Sequence, residues 1–579
     1  MDATESVLGP KTGRFAIIEQ FLADGMQYMF GNPGTVEQGF LDALGSYPDL
    51  TYILTLQETV ALGIADGYAR ASGHPALVQL HSGVGLGNGV GMLYQAKRGG
   101  TPLVVVAGES GLRYDAMDAQ MAADLVAIAR PVTKWATRVV DPASLLRVLR
   151  RAVKIAGTPP MGPVFVALPA DILDAISEEE IRPATPIRTR VVPGAADLAD
   201  AADILAAARN PVVIMGDGIA ASGAQTELTQ FAELLGAGVW GATSSEVNMD
   251  ETHPLFQGHL GHMFGEHSRG IVHGADVILV VGTYLFPEVY PVLSDAFAPG
   301  TRIVHVDMDA YEIAKNFPVD VGLVGDPRST LAALTRIVDG RLTSAAREVA
   351  MARAGAMAAD RVRVDAAHRQ DDLDARRDTP LHVSQFLEEL AGRLPDDAAI
   401  FDEGLTFSPE ITRYLPPRRP GTFFQTRGGS LGVGIPGAIG IKLAQPDRTV
   451  VGFTGDGGSM YTIQALWTAA HHGIGAKFVV LDNGAYQLLK LNIQQYWQAQ
   501  GLPEGEFPRS FDLGQPGLRF DQMARAMGVA AARVETVADI GPALDAAFAD
   551  DAPFLIDLVV SNEVQHDSSR GKHVRAGQS

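Results

Sequence analysis

The chain has 579 residues, a formal net charge of −21, 46% apolar and 20% charged residues, and no cysteine. That length calls for several domains, the composition fits a globular protein, and the missing cysteines exclude disulfides and thiolate-held metals. The acidic balance argues against a nucleic-acid partner, no apolar run approaches the roughly 20 residues of a membrane span, and Met1 to Gly13 has acids where a signal peptide has an apolar core, so a cytoplasmic enzyme with a small-molecule substrate is expected.

Short β-branched runs alternate with amphipathic stretches, the pattern of doubly wound parallel sheets covered by helices. The expected architecture is α/β in three such domains. The first, 1–185, has expected strands at 52–56, 76–80, 103–107 and 164–167 and a helix over 58–71. A proline- and charge-rich stretch, 177–193, reads as a linker. The second domain, 190–365, has expected strands at 211–215, 277–281 and 303–306. Residues 343–377 read as one or two surface helices. The third domain, 375–561, has expected strands at 399–401, 450–453, 478–481 and 554–560. A polar, locally basic tail, 562–579, follows. The first and third domains are candidates for the same fold.

The strongest chemical signal is Gly455-Asp456-Gly457, followed after 25 residues by Asn483. It sits at the end of an expected parallel strand, where ligands of open α/β sheets bind. Gly455, Gly457 and Gly458 let a phosphate approach the backbone. A helix expected over 459–470, beginning with Ser459, turns its N-terminal amides toward an anion. Asn483 ends the next expected strand, so adjacent strand ends bring it to Asp456. A carboxylate and an amide oxygen suit Mg²⁺. The Gly83-x-Gly85-x-Gly87-x-Gly89 run lacks the spacing of a dinucleotide fingerprint and is expected to form a turn.

These motifs resemble those of the thiamine-diphosphate-dependent enzymes. The resemblance implies that Asp456, Asn483 and the carbonyl of Ala485 hold Mg²⁺, which holds the cofactor's diphosphate, with Thr406 and Tyr486 also at the cofactor. Asp482-Asn483 stands where the family often has paired asparagines. In this chemistry a carboxylate bonded to the aminopyrimidine favours the imino tautomer that ionises the cofactor. Glu58, after the strand over 52–56, is the candidate. Leu431 aligns with the bulky residue that bends the cofactor. In the resembled enzymes the glutamate and the metal site come from different subunits, which implies a homodimer or homotetramer.

The chain from Phe15 to Val560 resembles the decarboxylase and acetohydroxyacid-synthase branch, with local likeness to benzoylformate decarboxylases in Gly31-Asn32-Pro33-Gly34-Thr35, Leu80-His81-Ser82, Gly85-Leu86-Gly87-Asn88 and the stretch 465–470. The likeness implies that Thr35 contacts substrate and His81 moves protons. Two features depart from it. The second catalytic histidine expected within 282–291 is missing, and Gln487, Leu488, Asn492 and Gln494, expected to line the substrate pocket, are more polar than a phenyl ring requires. The tail bears Arg570, Lys572 and His573, similar to the lid of oxalyl-CoA decarboxylases and 2-hydroxyacyl-CoA lyases. The first expectation is therefore a 2-hydroxyacyl-CoA lyase that releases an aldehyde or ketone and formyl-CoA, with those basic residues contacting coenzyme A. The alternatives are a benzoylformate-type 2-oxo-acid decarboxylase and an acetohydroxyacid-synthase-like transferase with a flavin in its middle domain.

Overall fold

The computed structural model describes residues 11–377 and 381–561. It contains three six-stranded sheets, each built of parallel pairs and flanked by helices. The first sheet runs Thr51–Leu54, Tyr28–Gly31, Ala76–His81, Leu103–Glu109, Val164–Pro169, Trp135–Arg138. The third runs Phe423–Gln425, Ala399–Glu403, Val450–Gly455, Lys477–Asp482, Phe554–Val559, Ala530–Val534. Counted along the chain, both have the strand order 2-1-3-4-6-5, so these two sheets share one topology. The middle sheet runs Phe256–His259, Gly238–Gly241, Pro211–Met215, Val277–Val281, Arg302–Asp307, Val321–Val324 and has the order 3-2-1-4-5-6.

Helices cover both faces, so the central strands carry apolar residues without alternation. Leu103–Glu109 is buried along its whole length. The first and third sheets meet through two helices, Glu58–Ser72 and Gly434–Ala444. A Cβ on Gly67 would overlap the carbonyl of Gly437, and one on Gly440 would overlap that of Ile64. Backbones this close need glycine at the crossing. Ala61, Ile64, Ala65, Phe401, Ile435 and Ile439 fill one core around it. Each large apolar side chain buried there contributes roughly 1.5–3 kcal/mol.

The side chain of Arg70, near the end of the first of these helices, is 2% exposed. It donates to the carbonyls of Gln425 (3.0 Å) and Ser245 (2.8 Å) and to Glu246 (3.2 Å). Arg427 reaches Glu246, Ser245 and the carbonyl of Gly99 from the other side. Two buried guanidiniums thus bind the chain segments of all three sheets together.

Several sequence expectations change. The strand expected over 52–56 is Thr51–Leu54, because Thr55 turns to donate to the carbonyl of Gly31 (3.0 Å) and Gln57 caps the next helix. The glycine run 83–89 is not a turn but part of a helix, Ser82–Gly99. Its glycines allow close packing: a Cβ on Gly89 would lie 2.7 Å from Leu62. Residues 344–375 form one helix, Ser344–Ala375, capped by the hydroxyl of Thr343. The helix expected over 459–470 is split into Asp456–Ser459 and Ala465–His472. Thr462, between them, donates to the carbonyl of Gly432 (2.8 Å) instead of continuing a helix. Among the described residues, no helix is long and apolar enough to cross a membrane.

Candidate active site

In the third sheet the connections leave in opposite directions from Ala399–Glu403 and Val450–Gly455, which opens a crevice at their C-terminal ends. Asp456 begins a short helix at that point. Its strand neighbour is Lys477–Asp482, with Gly455 opposite Leu481. Asn483 therefore arrives beside Asp456, as the spacing predicts. Asp456 Oδ2 accepts the amide of Ala485 at 3.1 Å, and Asn483 Oδ1 accepts the same amide at 3.0 Å. Asp456 Oδ1 accepts the amide of Gly457 at 2.6 Å. Burial, with Asp482 nearby, pushes the Asp456 carboxyl up to about 6. A cation bound there would favour its anion.

The residues present fit a metal-held diphosphate. Asp456, past one strand end, and Asn483 and the carbonyl of Ala485, past the next, are hard oxygen donors. A Cβ on Gly455 would meet open space, so its backbone is within reach of a ligand. Gly457 is needed for a different reason, since a Cβ there would overlap the ring of Tyr486.

A cleft of about 3470 Å³ runs from these strand ends along the middle and third domains, and the first domain borders it with Arg70, Tyr94 and Arg98. It is lined by Thr406, Leu431, Gly455, Asp456, Gly457, Gly458, Asn483, Ala485 and Tyr486. Gln487, Leu488, Asn492 and Gln494 line it from the helix Gln487–Gln500. Ser459 does not line it: its hydroxyl turns back to the carbonyl of Asp456 at 2.9 Å. The stretch 282–291 borders the cleft with Thr283, Tyr284 and Glu288. Glu288 is buried, bonded to Ser268, and raised by that burial. Leu431 sits on a loop that Glu403 holds from beneath. Glu403 accepts the amides of Gly432 (2.6 Å), Val433 (3.3 Å) and Gly434 (2.7 Å) and the hydroxyl of Thr454 (3.0 Å). Complete burial nonetheless pushes its carboxyl up to about 7.

Thr35, Glu58 and His81 do not line this cleft. They gather instead at the corresponding crevice of the first sheet, past the ends of Tyr28–Gly31 and Ala76–His81. Glu58 is 5% exposed at the first position of its helix. Its two oxygens accept from Asn32 Nδ2 (3.2 Å) and Asn88 Nδ2 (3.0 Å). His81 is the last residue of its strand, and its Nδ1 lies 2.9 Å from Glu37. Thr35 is exposed. One chain thus holds Glu58 and Asp456 in two separate crevices.

Sequence reasoning missed Glu37 and Glu403 and assigned no role to Asn32 or Asn88. The two asparagines lie inside the stretches that carry the family likeness; that placement was the available signal. Arg570, Lys572 and His573 lie outside the described residues.

Comparison with known proteins gives three matching family models. These are "Thiamine pyrophosphate enzyme, N-terminal TPP binding domain" over residues 11–128, the central domain over 198–334, and the C-terminal TPP binding domain over 406–558. A benzoylformate decarboxylase of Pseudomonas aeruginosa is 33% identical over 95% of this chain and 98% of that protein. An acetolactate synthase of Mycobacterium bovis is 29% identical over 96% and 89%. The solved 4-hydroxybenzoylformate decarboxylase of Rhodococcus jostii RHA1 superposes with a TM-score of 0.82 at 28% identity, covering 96% of this chain and all of that one.

Proposed function

Since the chain belongs to the thiamine pyrophosphate enzymes, of the decarboxylase and synthase type, we propose that it decarboxylates a free 2-oxo acid of the benzoylformate kind, releasing carbon dioxide and an aldehyde. The observation that carries this reading is the likeness to a benzoylformate decarboxylase over nearly the whole of both proteins. The coenzyme A thioester expected first rests on residues 562–579, outside the described part, and the named relatives favour the alternative.

Asp456, Asn483 and the carbonyl of Ala485 would hold Mg²⁺, and with it the diphosphate, against the open backbone of Gly455. Thr406, Leu431, Gly458 and Tyr486 would border the rest of the cofactor. When bound, thiamine diphosphate would supply a carbon nucleophile and an electron sink for the pair left behind as carbon dioxide departs. The chain's own groups do the remainder. Glu58, oriented by Asn32 and Asn88, would hydrogen-bond the aminopyrimidine ring. Thr35 supplies a hydroxyl to the substrate. His81 delivers and removes the proton on oxygen and carbon. Gln487, Leu488, Asn492 and Gln494 face the substrate's side chain, and the amides of Gln487, Asn492 and Gln494 suit one with a polar substituent.

Because Glu58 and Asp456 belong to separate half-sites, a complete site requires a second copy. We take the active form to be at least a homodimer in which one protomer's Glu58 faces the cleft of its partner.

The test is a release assay on purified protein supplied with thiamine diphosphate and Mg²⁺. Carbon dioxide from benzoylformate or a ring-hydroxylated analogue is expected without coenzyme A. Turnover of 2-hydroxyacyl-CoA thioesters, with free 2-oxo acids untouched, would overturn the proposal.

A further inference from the structure

We infer that Glu37 is a positioning residue for His81: its carboxylate accepts a hydrogen bond from the Nδ1–H, so that the neutral imidazole presents a bare Nε2 to the reacting carbonyl. The inference rests on the role of His81 proposed above and names the group that sets its tautomer. In neutral imidazole one nitrogen donates and the other accepts, and the partner of one decides the state of the other.

Glu37 is 3% exposed and both of its oxygens are in use. Oε2 lies 2.9 Å from His81 Nδ1, and Oε1 accepts the amide of Gly108 at 3.1 Å. The amide comes from the strand beside that of His81, where Gly108 is the residue opposite His81. The carboxylate is therefore tied to the sheet, and the ring is tied to the carboxylate. Two glycines make room for the pair. A Cβ on Gly34 would overlap the His81 ring, and one on Gly108 would lie 2.5 Å from Glu37 Oε1.

Burial raises the Glu37 carboxyl, while His81 and the Gly108 amide draw it back down. The other titratable groups facing the pair are Tyr52 and Glu58. Burial raises the Tyr52 hydroxyl, the charges of Glu37 and Glu58 add to it, and the hydroxyl donates to Gln79.

Glutamine at position 37 keeps the size but not the two acceptors. Its one oxygen can satisfy Gly108 or His81, and its NH₂ group must face the other. Facing Nδ1, it donates, and the proton of the neutral ring moves to Nε2. The loss of a negative charge beside the ring also disfavours the imidazolium.

The experiment follows carbethoxylation of His81 by diethyl pyrocarbonate against pH in the cofactor-loaded full-length protein, read by peptide mass spectrometry. His81→Asn identifies the peptide, and the readout does not depend on turnover. In Glu37→Gln the midpoint of modification is expected to fall by about one pH unit. kcat/KM for the accepted 2-oxo acid should drop by about tenfold or more while cofactor affinity is retained. Glu37→Asp, which keeps the charge but moves it back, should restore the midpoint most of the way. An unmoved midpoint in Glu37→Gln, or an unchanged kcat/KM, overturns the inference. If Glu37→Gln does not fold, Glu37→Asp with the midpoint of the parent but a lowered kcat/KM supports it, and parental values of both overturn it. Should the parent release no carbon dioxide from any 2-oxo acid, the functional proposal fails while the titration still decides whether Glu37 governs His81.

Discussion

Asp456 and Asn483 accept the same backbone amide, that of Ala485, at 3.1 and 3.0 Å. Two oxygens from different strand ends are thereby aimed at one small volume before any cation arrives. Such preorganisation lowers the cost of assembling a metal site. Asp456→Asn and Asn483→Leu should each lose retained thiamine diphosphate by at least about tenfold, measured by calorimetric titration in the presence of Mg²⁺. Retention equal to the parent would remove both residues from the metal site.

Glu58 is expected to behave differently. Glu58→Gln leaves the diphosphate end untouched, so the cofactor should still bind. Turnover should fall by about 100-fold or more, since the removed group helps to ionise the cofactor. Full activity in this variant would sink the mechanism.

The two half-sites allow a complementation experiment. Glu58→Gln and Asp456→Asn, each inactive alone, should regain part of the parental rate when co-expressed. Mixed dimers contain one crevice in which both residues are intact. No recovery, with mixed dimers demonstrated by tagged co-purification, would show that each site is built within a single chain.

Arg70 predicts a stability effect without any catalytic contact. Its guanidinium satisfies two carbonyls and Glu246 in the interior. Arg70→Met strands those acceptors and should cost about 3 kcal/mol or more, read as an earlier first transition in thermal or urea unfolding. Gly440→Ala should lower stability by about 1–3 kcal/mol through overpacking against Ile64.

Asp307 gives a pH dependence. Burial, with Glu312 and Asp309 adding to it, pushes its carboxyl up to about 7 from an ordinary 3.8. The folded protein binds this proton more tightly than the unfolded chain. Its contribution to stability is complete below 3.8 and lost as pH rises through about 7. Asp307→Asn cannot titrate. It should melt higher than the parent at pH 8, with the advantage shrinking to nothing near pH 4. A difference independent of pH would exclude this origin.

Much of the molecule was legible from the residues alone. Parallel strands buried on both faces are written as short apolar runs, so 103–107, 211–215 and 277–281 are recognisable locally. The pairing of Gly455-Asp456-Gly457 with Asn483 is legible too, because consecutive parallel strands place their ends side by side. The glycines of 83–89 misled: their purpose is to let one helix lie against another, and that neighbour is not written in the stretch itself.

The amino-acid order alone thus determined the α/β class, which follows from local periodicity, while the roles given to Asp456, Asn483, Glu58 and His81 are what its short motifs imply through their resemblance to a family. Only the tertiary structure decided that Glu37 grips His81, that Asn32 and Asn88 converge on Glu58, that Glu403 supports the loop bearing Leu431, and that Glu58 and Asp456 fall into separate crevices. Hydrogen bonds between residues tens of positions apart depend on how whole sheets and helices pack, and no local pattern records that arrangement.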